Sequence, residues 1–192
     1  MQNSSDFKTS MKEEIRERTK AKRLAIKEMD RERKSHRIYE KLMSLSEFKE
    51  AKNIMIYISS TEEVVTHFMV KRLLQMDKTL YVPKVVDQTL IACRLDHWED
   101  LDFGSFGILE PNEVIEIKHP SEIDVIIAPG VAFTKEGARL GMGKGFYDRF
   151  MRNYTGLKIG LAYEEQIIEE IPTEDHDVQM DMIITNENIY RP

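Results

Sequence analysis

Four glycines, Gly137, Gly141, Gly143 and Gly145, fall within nine residues just downstream of Asp124 to Ala128 (DVIIA). That short run is apolar at successive positions, so both faces of the strand it forms must be covered, as in the middle of a sheet flanked on both sides by helices. In such open sheets ligands bind beyond the carboxyl ends of the strands. A glycine-rich turn leading into a helix at that point exposes backbone N–H groups that can cradle an anion. Side chains would obstruct the approach.

The rest of the chain agrees with this frame. Asn53 to Ile58 (NIMIYI) reads as a strand, Thr66 to Met76 as an amphipathic helix, Thr79 to Val82 as a strand ended by Pro83, and Thr89 to Arg94 as another. Trp98 to Pro111, punctuated by Gly104 and Gly107, reads as loop. A helix from about Gly145 to Tyr154, a strand from Leu157 to Ala162 and a last strand from Met182 to Thr185 complete the pattern. Strands alternating with helices predict an α/β chain: a three-layer α/β/α sandwich with a mainly parallel sheet, one domain over 1–192. Ahead of it, Ser10 to about Ser46 has no Gly or Pro and predicts two helices, packed on the body over about 10–46. Their break is expected near Met29-Asp30, with Asp30 as N-cap. The second helix repeats Ile38, Leu42 and Leu45 at core spacing. The first has only a loose stripe of Met11, Ile15, Leu24 and Ala25, so something other than an apolar face, such as a ligand, must hold it.

Composition narrows the classes. With 192 residues, 41% hydrophobic and 32% charged, the chain can bury a full core, and neither a disordered nor a low-complexity class fits. Val125 to Phe133 is far shorter than a membrane span and is broken by Pro129-Gly130. Cys93 has no partner in the chain, and the N-terminus lacks the apolar segment of a secretory signal, so a cytoplasmic protein is expected. Lys8 to Arg37 carries 12 basic and 6 acidic residues, whereas the whole chain has a net charge of −6, so a basic head precedes an acidic body. Its bases alternate with acids and lack aromatic neighbours, which favours a solvated helix face over nucleic-acid binding.

In the segment PGVAFTKEGARLGMGKGFYDR, Pro129 to Arg149, a Walker A pattern cannot be threaded, and the third glycine of a dinucleotide fingerprint would fall on Phe146. Arg139 and Lys144 flank the glycines as candidate phosphate partners, and Asp148, one turn into the helix, is a candidate Mg²⁺ ligand. From these residues alone, a tight packing turn and a phosphate cradle remain equally open.

Set beside the whole chain, this segment resembles the signature of the 5-formyltetrahydrofolate cyclo-ligase family, P-G-x-A-F followed by R-L-G-x-G-x-G-[YF]-Y-D-R. The resemblance extends to K-x-x-[IL]-R at Lys12 to Arg16, YISSTEEVVT from Tyr57, V-P-K from Val82, F-G-I-x-E-P from Phe106 and P-x-x-x-H-D-x-x-x-D from Pro172. It implies an ATP- and Mg²⁺-dependent enzyme of folate one-carbon metabolism that closes 5-formyltetrahydrofolate to 5,10-methenyltetrahydrofolate. ATP would be the co-substrate, and transfer of its γ-phosphoryl to the formyl oxygen would make that oxygen a leaving group. The nucleotide site it implies comprises Lys12, Arg16, Arg139, Leu140, Gly141, Met142, Gly143, Lys144, Gly145, Phe146 and Tyr147, with Arg139 and Lys144 neutralising the charge that develops. Lys12 and Arg16, four apart, would project from one helix face. Met142 and Phe146 depart from the pattern and enter as backbone contributors only, and Thr134 stands where the pattern commonly has Asp. The folate site implied is Ile58, Glu63, Trp98 and Tyr147, with Glu63, or the adjacent Glu62, as paired acceptor for the amino-pyrimidine edge. The implied metal carboxylates are Asp148 and Asp181. His176 and Asp177 receive no catalytic role. The expected partner is a reduced folate, with or without a polyglutamate tail, with no nucleic acid or membrane and a monomeric enzyme. Two other readings remain open at this point: a sugar-phosphate isomerase or CoA transferase on a similar scaffold, and an RNA-binding module using the basic head.

Overall fold

A computed structural model describes residues 3–192. Its centre is an eight-stranded sheet whose five middle strands are parallel, with antiparallel edges. In chain order the elements are α1 (Ser4–Leu24), α2 (Glu28–Ser44), α3 (Ser46–Glu50), β1 (Asn53–Ile56), α4 (His67–Leu73), β2 (Thr79–Val86) and β3 (Thr89–Leu95). Then come β4 (Leu101–Phe103), β5 (Leu109–Pro111), β6 (Ile117–Lys118), β7 (Val125–Ala128), β8 (Ala132–Phe133) and β9 (Arg139–Leu140). The chain closes with α5 (Phe146–Met151), β10 (Leu157–Leu161), β11 (Met182–Ile184) and β12 (Ile189–Tyr190). The main sheet runs β12-β11-β10-β7-β1-β2-β3-β6.

The doubly apolar DVIIA segment is β7, buried at all four strand positions between β1 and β10. Alternation divides the sheet's side chains. Ile54, Ile56, Val125 and Ile127 join a core with Ile38, Leu42 and Phe48 of α2 and α3 and with Met69, Val70 and Leu73 of α4. Met55, Ile126, Ala128 and Ile183 join a second core with Met151 of α5 and Tyr154. Helices therefore cover both faces, as the sequence predicts.

From β1 the chain crosses through α4 to β2 on one side; from β7 it crosses through α5 to β10 on the other. The strand order thus reverses between β1 and β7, and the region beyond their carboxyl ends is where open sheets of this kind place their ligand crevice. The β8–β9 hairpin stands over this end. Its Phe133 ring packs against the backbone of Gly130 and Gly160, where an added Cβ would lie 2.4 Å and 2.6 Å from ring carbons. Because Gly160 sits inside β10, Gly160→Ala is expected to overpack this slot and cost about 1–3 kcal/mol, read as a lower urea midpoint at unchanged slope.

Several local expectations are corrected. The break between α1 and α2 comes at Ala25 to Lys27, before Met29; Asp30 lies inside α2 and pairs with Arg33. β2 does not stop at Pro83 but runs to Val86. Its pairing with β1 covers only Thr79 to Tyr81, so at Pro83 the strand pairs with β3 and the missing N–H breaks no ladder with β1. The segment expected as loop contains a separate two-stranded sheet, β4 with β5. No described helix is long and apolar enough to cross a membrane.

Helix α1 buries Ile15, Arg16, Thr19 and Arg23, while Met11 and Leu24 of the expected stripe are exposed. Ile15 packs with Ala132, Ala138 and Leu140 of the hairpin region and with Ile171. One aliphatic contact and three polar side chains therefore seat this helix.

Candidate active site

The crevice has two walls. One is the glycine loop that follows β9; the other is the Tyr57 to Thr66 segment that follows β1. Helix α1 reaches both.

In the loop, Gly143 (φ 100°) and Gly145 (φ 67°) adopt conformations that L side chains resist, and Gly145 is the residue from which α5 starts. The Arg16 Nε donates to the Gly141 carbonyl at 2.8 Å, and a Cβ on Gly143 would sit 3.5 Å from the Arg16 guanidinium. Arg139, on β9, donates to the Pro129 carbonyl at 2.9 Å, pairs with Asp148 Oδ1 at 3.4 Å and lies over the Tyr147 ring, 5.5 Å from its centroid. Its other neighbour is the loop backbone, with a Cβ on Gly141 falling 3.1 Å from NH1. Two guanidiniums, one from α1 and one from β9, thus converge on Gly141. Both are largely buried. The Arg139 Nε is buried without a hydrogen-bond partner among the described residues, a group that a ligand oxygen would satisfy.

The second wall is fastened by its own hydroxyls. Ser59 and Thr66 exchange backbone-to-hydroxyl bonds at 2.9 and 3.0 Å, and Thr66 Oγ1 also donates to the Tyr57 carbonyl. Glu63 folds back to accept from the Ser60 N–H at 2.8 Å, while the Tyr163 hydroxyl donates to the Glu63 carbonyl at 2.9 Å. Burial raises the Glu63 carboxyl above the ordinary range, against the Ser60 bond and the field of Arg23. Burial likewise lifts the Tyr147 hydroxyl, with a contribution from the Glu63 charge.

A raised carboxyl has a definite linkage sign. Between the unfolded and folded pKa values the native state holds more protons, so Glu63 costs stability as pH rises through that window. Glu63→Gln keeps the acceptor for Ser60 and removes the charge. It is expected to match or exceed the parent chain in urea resistance at pH 8, with the difference shrinking at pH 4.

The expected site residues are not all brought together. Arg16, Arg139, Gly141, Gly143 and Tyr147 meet at the loop. Leu140 is core, packed with Ile15, and only its backbone faces the loop. Gly145 starts α5, and Phe146 lies beneath the Arg149 guanidinium. Met142 is exposed, and Lys144 extends along the outside with its ammonium 4.5 Å from the Phe106 ring centroid. The Lys12 amine pairs with Asp177 at 2.9 Å and Glu174 at 3.5 Å, on the loop before β11. Burial opposes ionisation of Asp177, but bonds from Lys12 and from the Glu174 N–H hold its carboxyl below the usual range.

On the folate side, Ile58 is buried in the core beside the loop, and Trp98 lies by α4, its ring centroid 5.3 Å from that of His67, whose Nε2 is 2.9 Å from the Ser59 carbonyl oxygen. Glu62 points to Arg23 instead of to Ser60.

The metal carboxylates separate. Asp148 stands at the crevice, and its contacts with Arg139 and the Val178 N–H both fall on Oδ1. Asp181 precedes β11, at the end of the sheet away from the crevice, where it accepts from the Lys158 N–H at 2.8 Å. Asp124 ties the neighbouring strand ends in the same way, through Lys52 and Asn53 N–H. A cation carried on phosphate oxygens would find one ligand here, Asp148; Asp181 does not fit that role. Among the described residues the carboxylate-imidazole group that comes together is Glu174, His176 and Asp177, and the Lys12 ammonium already occupies it.

Sequence reading missed Arg23 and Gln166. Gln166 donates to the Gly130 and Val131 carbonyls and fixes the turn after β7; Arg23 lies on the buried face of α1, two turns beyond Arg16. The period of Arg16, Thr19 and Arg23 is visible in the sequence, but exposed faces of charged helices show the same period.

Fold and site define a doubly wound α/β protein with two buried guanidiniums beside a glycine turn at its switch point. Residues 8–186 match the pattern of the 5-formyltetrahydrofolate cyclo-ligase family, and the chain belongs to that family. It is 32% identical to the 5-formyltetrahydrofolate cyclo-ligase of Haemophilus influenzae, over 90% of this chain and 96% of that one. A probable 5-formyltetrahydrofolate cyclo-ligase of Caenorhabditis elegans is 31% identical, over 91% and 92%. Among solved structures, the 5,10-methenyltetrahydrofolate synthetase of Aquifex aeolicus superposes with a TM-score of 0.86 at 38% identity, covering 94% of this chain and 92% of that one. That of Mycoplasma pneumoniae gives 0.74 at 27% identity, covering 91% and 98%.

Proposed function

We propose that this chain catalyses the ATP- and Mg²⁺-dependent cyclisation of 5-formyltetrahydrofolate to 5,10-methenyltetrahydrofolate, releasing ADP and phosphate. The observation that carries the reading is the convergence of Arg16 and Arg139 on the Gly141 backbone, at the carboxyl end of the central strands. Two buried guanidiniums over an open glycine turn suit the oxygens of a polyphosphate, which they would bind by paired charge-assisted bonds.

A formamide oxygen is a poor leaving group. Transfer of the γ-phosphoryl to it converts it to a phosphate ester, the neighbouring arylamine nitrogen closes the ring, and phosphate departs. Such chemistry asks the protein for position and charge neutralisation and needs no covalent nucleophile, which agrees with Cys93 being buried in the core. Arg139 holds the equatorial charge, Arg16 orients the triphosphate, and Lys144 can close from the outside. Glu63 lies on the opposite wall, where the carboxylate accepts from the amino-pyrimidine edge, and Tyr147 lines the site from the loop side. Mg²⁺ would be held by Asp148 and supplies charge neutralisation on the phosphates. The buried lone thiol and a reduced folate both suit a reducing cytosol, and the enzyme would act as a monomer on folates with or without a polyglutamate tail.

The test is absorbance of the methenyl product after mixing protein, 5-formyltetrahydrofolate, Mg²⁺ and ATP. A rise that requires ATP is expected. A flat trace from folded protein that binds ATP would overturn the folate assignment.

A further inference from the structure

The buried face of α1 holds Arg16, Thr19 and Arg23. Arg16 is accounted for by Gly141. Arg23 is not. It lies seven residues further on, nearly in line with Arg16 on the same face and roughly 10 Å along the axis. Its side chain is 5% exposed, more enclosed than that of Arg16, yet its ion-pair contact is a long one, 3.4 Å to Glu62, whose own side chain is 36% exposed. Its Nε is one of four buried side-chain polar atoms that lack a hydrogen-bond partner among the described residues, and Thr19 Oγ1, one turn earlier, is another. Elsewhere on α1 a threonine does satisfy itself, for Thr9 donates to the Ser5 carbonyl at 3.0 Å. A buried guanidinium is costly unless its charge and its N–H groups are met. Here neither is.

The surroundings say what would meet them. The Arg23 guanidinium reaches Glu62, the chain neighbour of Glu63, at 3.4 Å, so it stands beside the wall that Glu63 anchors. In the proposed function Glu63 accepts from N3–H and the 2-amino group of the pterin. The atom next to N3–H on that ring is the C4 carbonyl, and the N5 formyl group lies peri to it. A donor flanking Glu63 therefore meets an acceptor oxygen, and the carboxylate and the guanidinium together match the donor-donor-acceptor order of a 4-oxo pyrimidine.

We propose that Arg23 is a further substrate-binding residue, donating from its buried guanidinium to the pterin C4 carbonyl oxygen beside the edge held by Glu63. This rests on the folate reading above. It makes the site selective for 4-oxo over 4-amino pterins, because a 4-amino group would turn N–H donors toward the guanidinium.

The experiment compares binding of 5-formyltetrahydrofolate and of its 2,4-diamino counterpart, by calorimetry without ATP, to the parent chain, Arg23→Met and Arg23→Lys, with ATP affinity measured in parallel. The parent chain is expected to prefer the 4-oxo ligand at least about 30-fold. Arg23→Met is expected to lose most of that preference and about 30-fold in 4-oxo affinity, with ATP affinity within about twofold. Arg23→Lys, which keeps the charge, should retain part of it and serves if the methionine variant does not fold. A preference as large in the variants as in the parent overturns the role of Arg23 and leaves the folate reading intact. A parent chain that binds ATP but neither folate overturns both.

Discussion

Gly143→Val should remove ATP-dependent turnover, by about 100-fold or more, while leaving a folded protein. At φ 100° a β-branched side chain is strained, and its Cβ would lie 3.5 Å from the Arg16 guanidinium, with the γ-methyl groups reaching further toward it. The variant therefore acts twice, distorting the turn that presents the N–H groups and displacing the arginine that faces them. Gly143 itself is exposed, so the cost to folding is confined to backbone strain, about 1–3 kcal/mol and a fall of a few degrees in Tm. Calorimetric titration with ATP and a thermal melt of the same sample separate the two. Wild-type ATP affinity in the valine variant would remove the glycine loop from the nucleotide site. Gly143→Ala, with the same φ demand but no γ-methyl groups, should fall between the parent and Gly143→Val.

Arg139→Met should be damaging in both senses. The side chain is 4% exposed and joins the Pro129 carbonyl, Asp148 and the Tyr147 ring, so three parts of the crevice lose a common partner. Its removal leaves Asp148, itself largely buried, without its guanidinium, a change worth about 3–5 kcal/mol in such settings. If Arg139 also neutralises charge on the transferred phosphoryl, kcat falls about 10²- to 10³-fold beyond any effect of unfolding. Assays at a temperature where urea titration shows both proteins folded distinguish the contributions. Arg139→Lys keeps the charge but not the fork, and should recover stability more than rate. A variant with normal kcat would leave Arg139 as a structural tie alone.

The central strand and the turn beyond it were legible because their signals are local. DVIIA is apolar at every position, and a strand of that kind has one place in a covered sheet. The glycine spacing announces a turn that no side chain can fill. The thin apolar stripe of α1 was legible as an anomaly: the helix buries Arg16, Thr19 and Arg23, and the contacts that hold it, from Arg16 to Gly141 and from Lys12 to Asp177, join residues more than a hundred positions apart. Met11 and Leu24, the apolar residues that a periodicity argument favours, face outward. Asp181 shows the converse. Its place in a late motif suggests a ligand, whereas its position before β11 makes it a clasp between strand ends, the work that Asp124 does beside it. Pro83 and the β4–β5 pair were misread because proline and glycine end elements only where the lost hydrogen bond would have been needed, and that depends on which neighbour lies on which edge.

What the amino-acid order determined by itself was the class of fold, the order of its layers and the position of the glycine turn after the central strand, since each follows from hydropathy period and backbone freedom over a few residues. Only the tertiary structure decided which charges meet. That Arg16 faces Gly141 and that Glu62 takes Arg23 while Glu63 turns to Ser60 depend on where α1 lies, and that Asp148 and Asp181 stand at different ends of the sheet depends on the places of α5 and β11 in its topology. Ion pairing and burial of this kind are set by distances in space, and a charge in a sequence has no distance to its partner until the chain has folded.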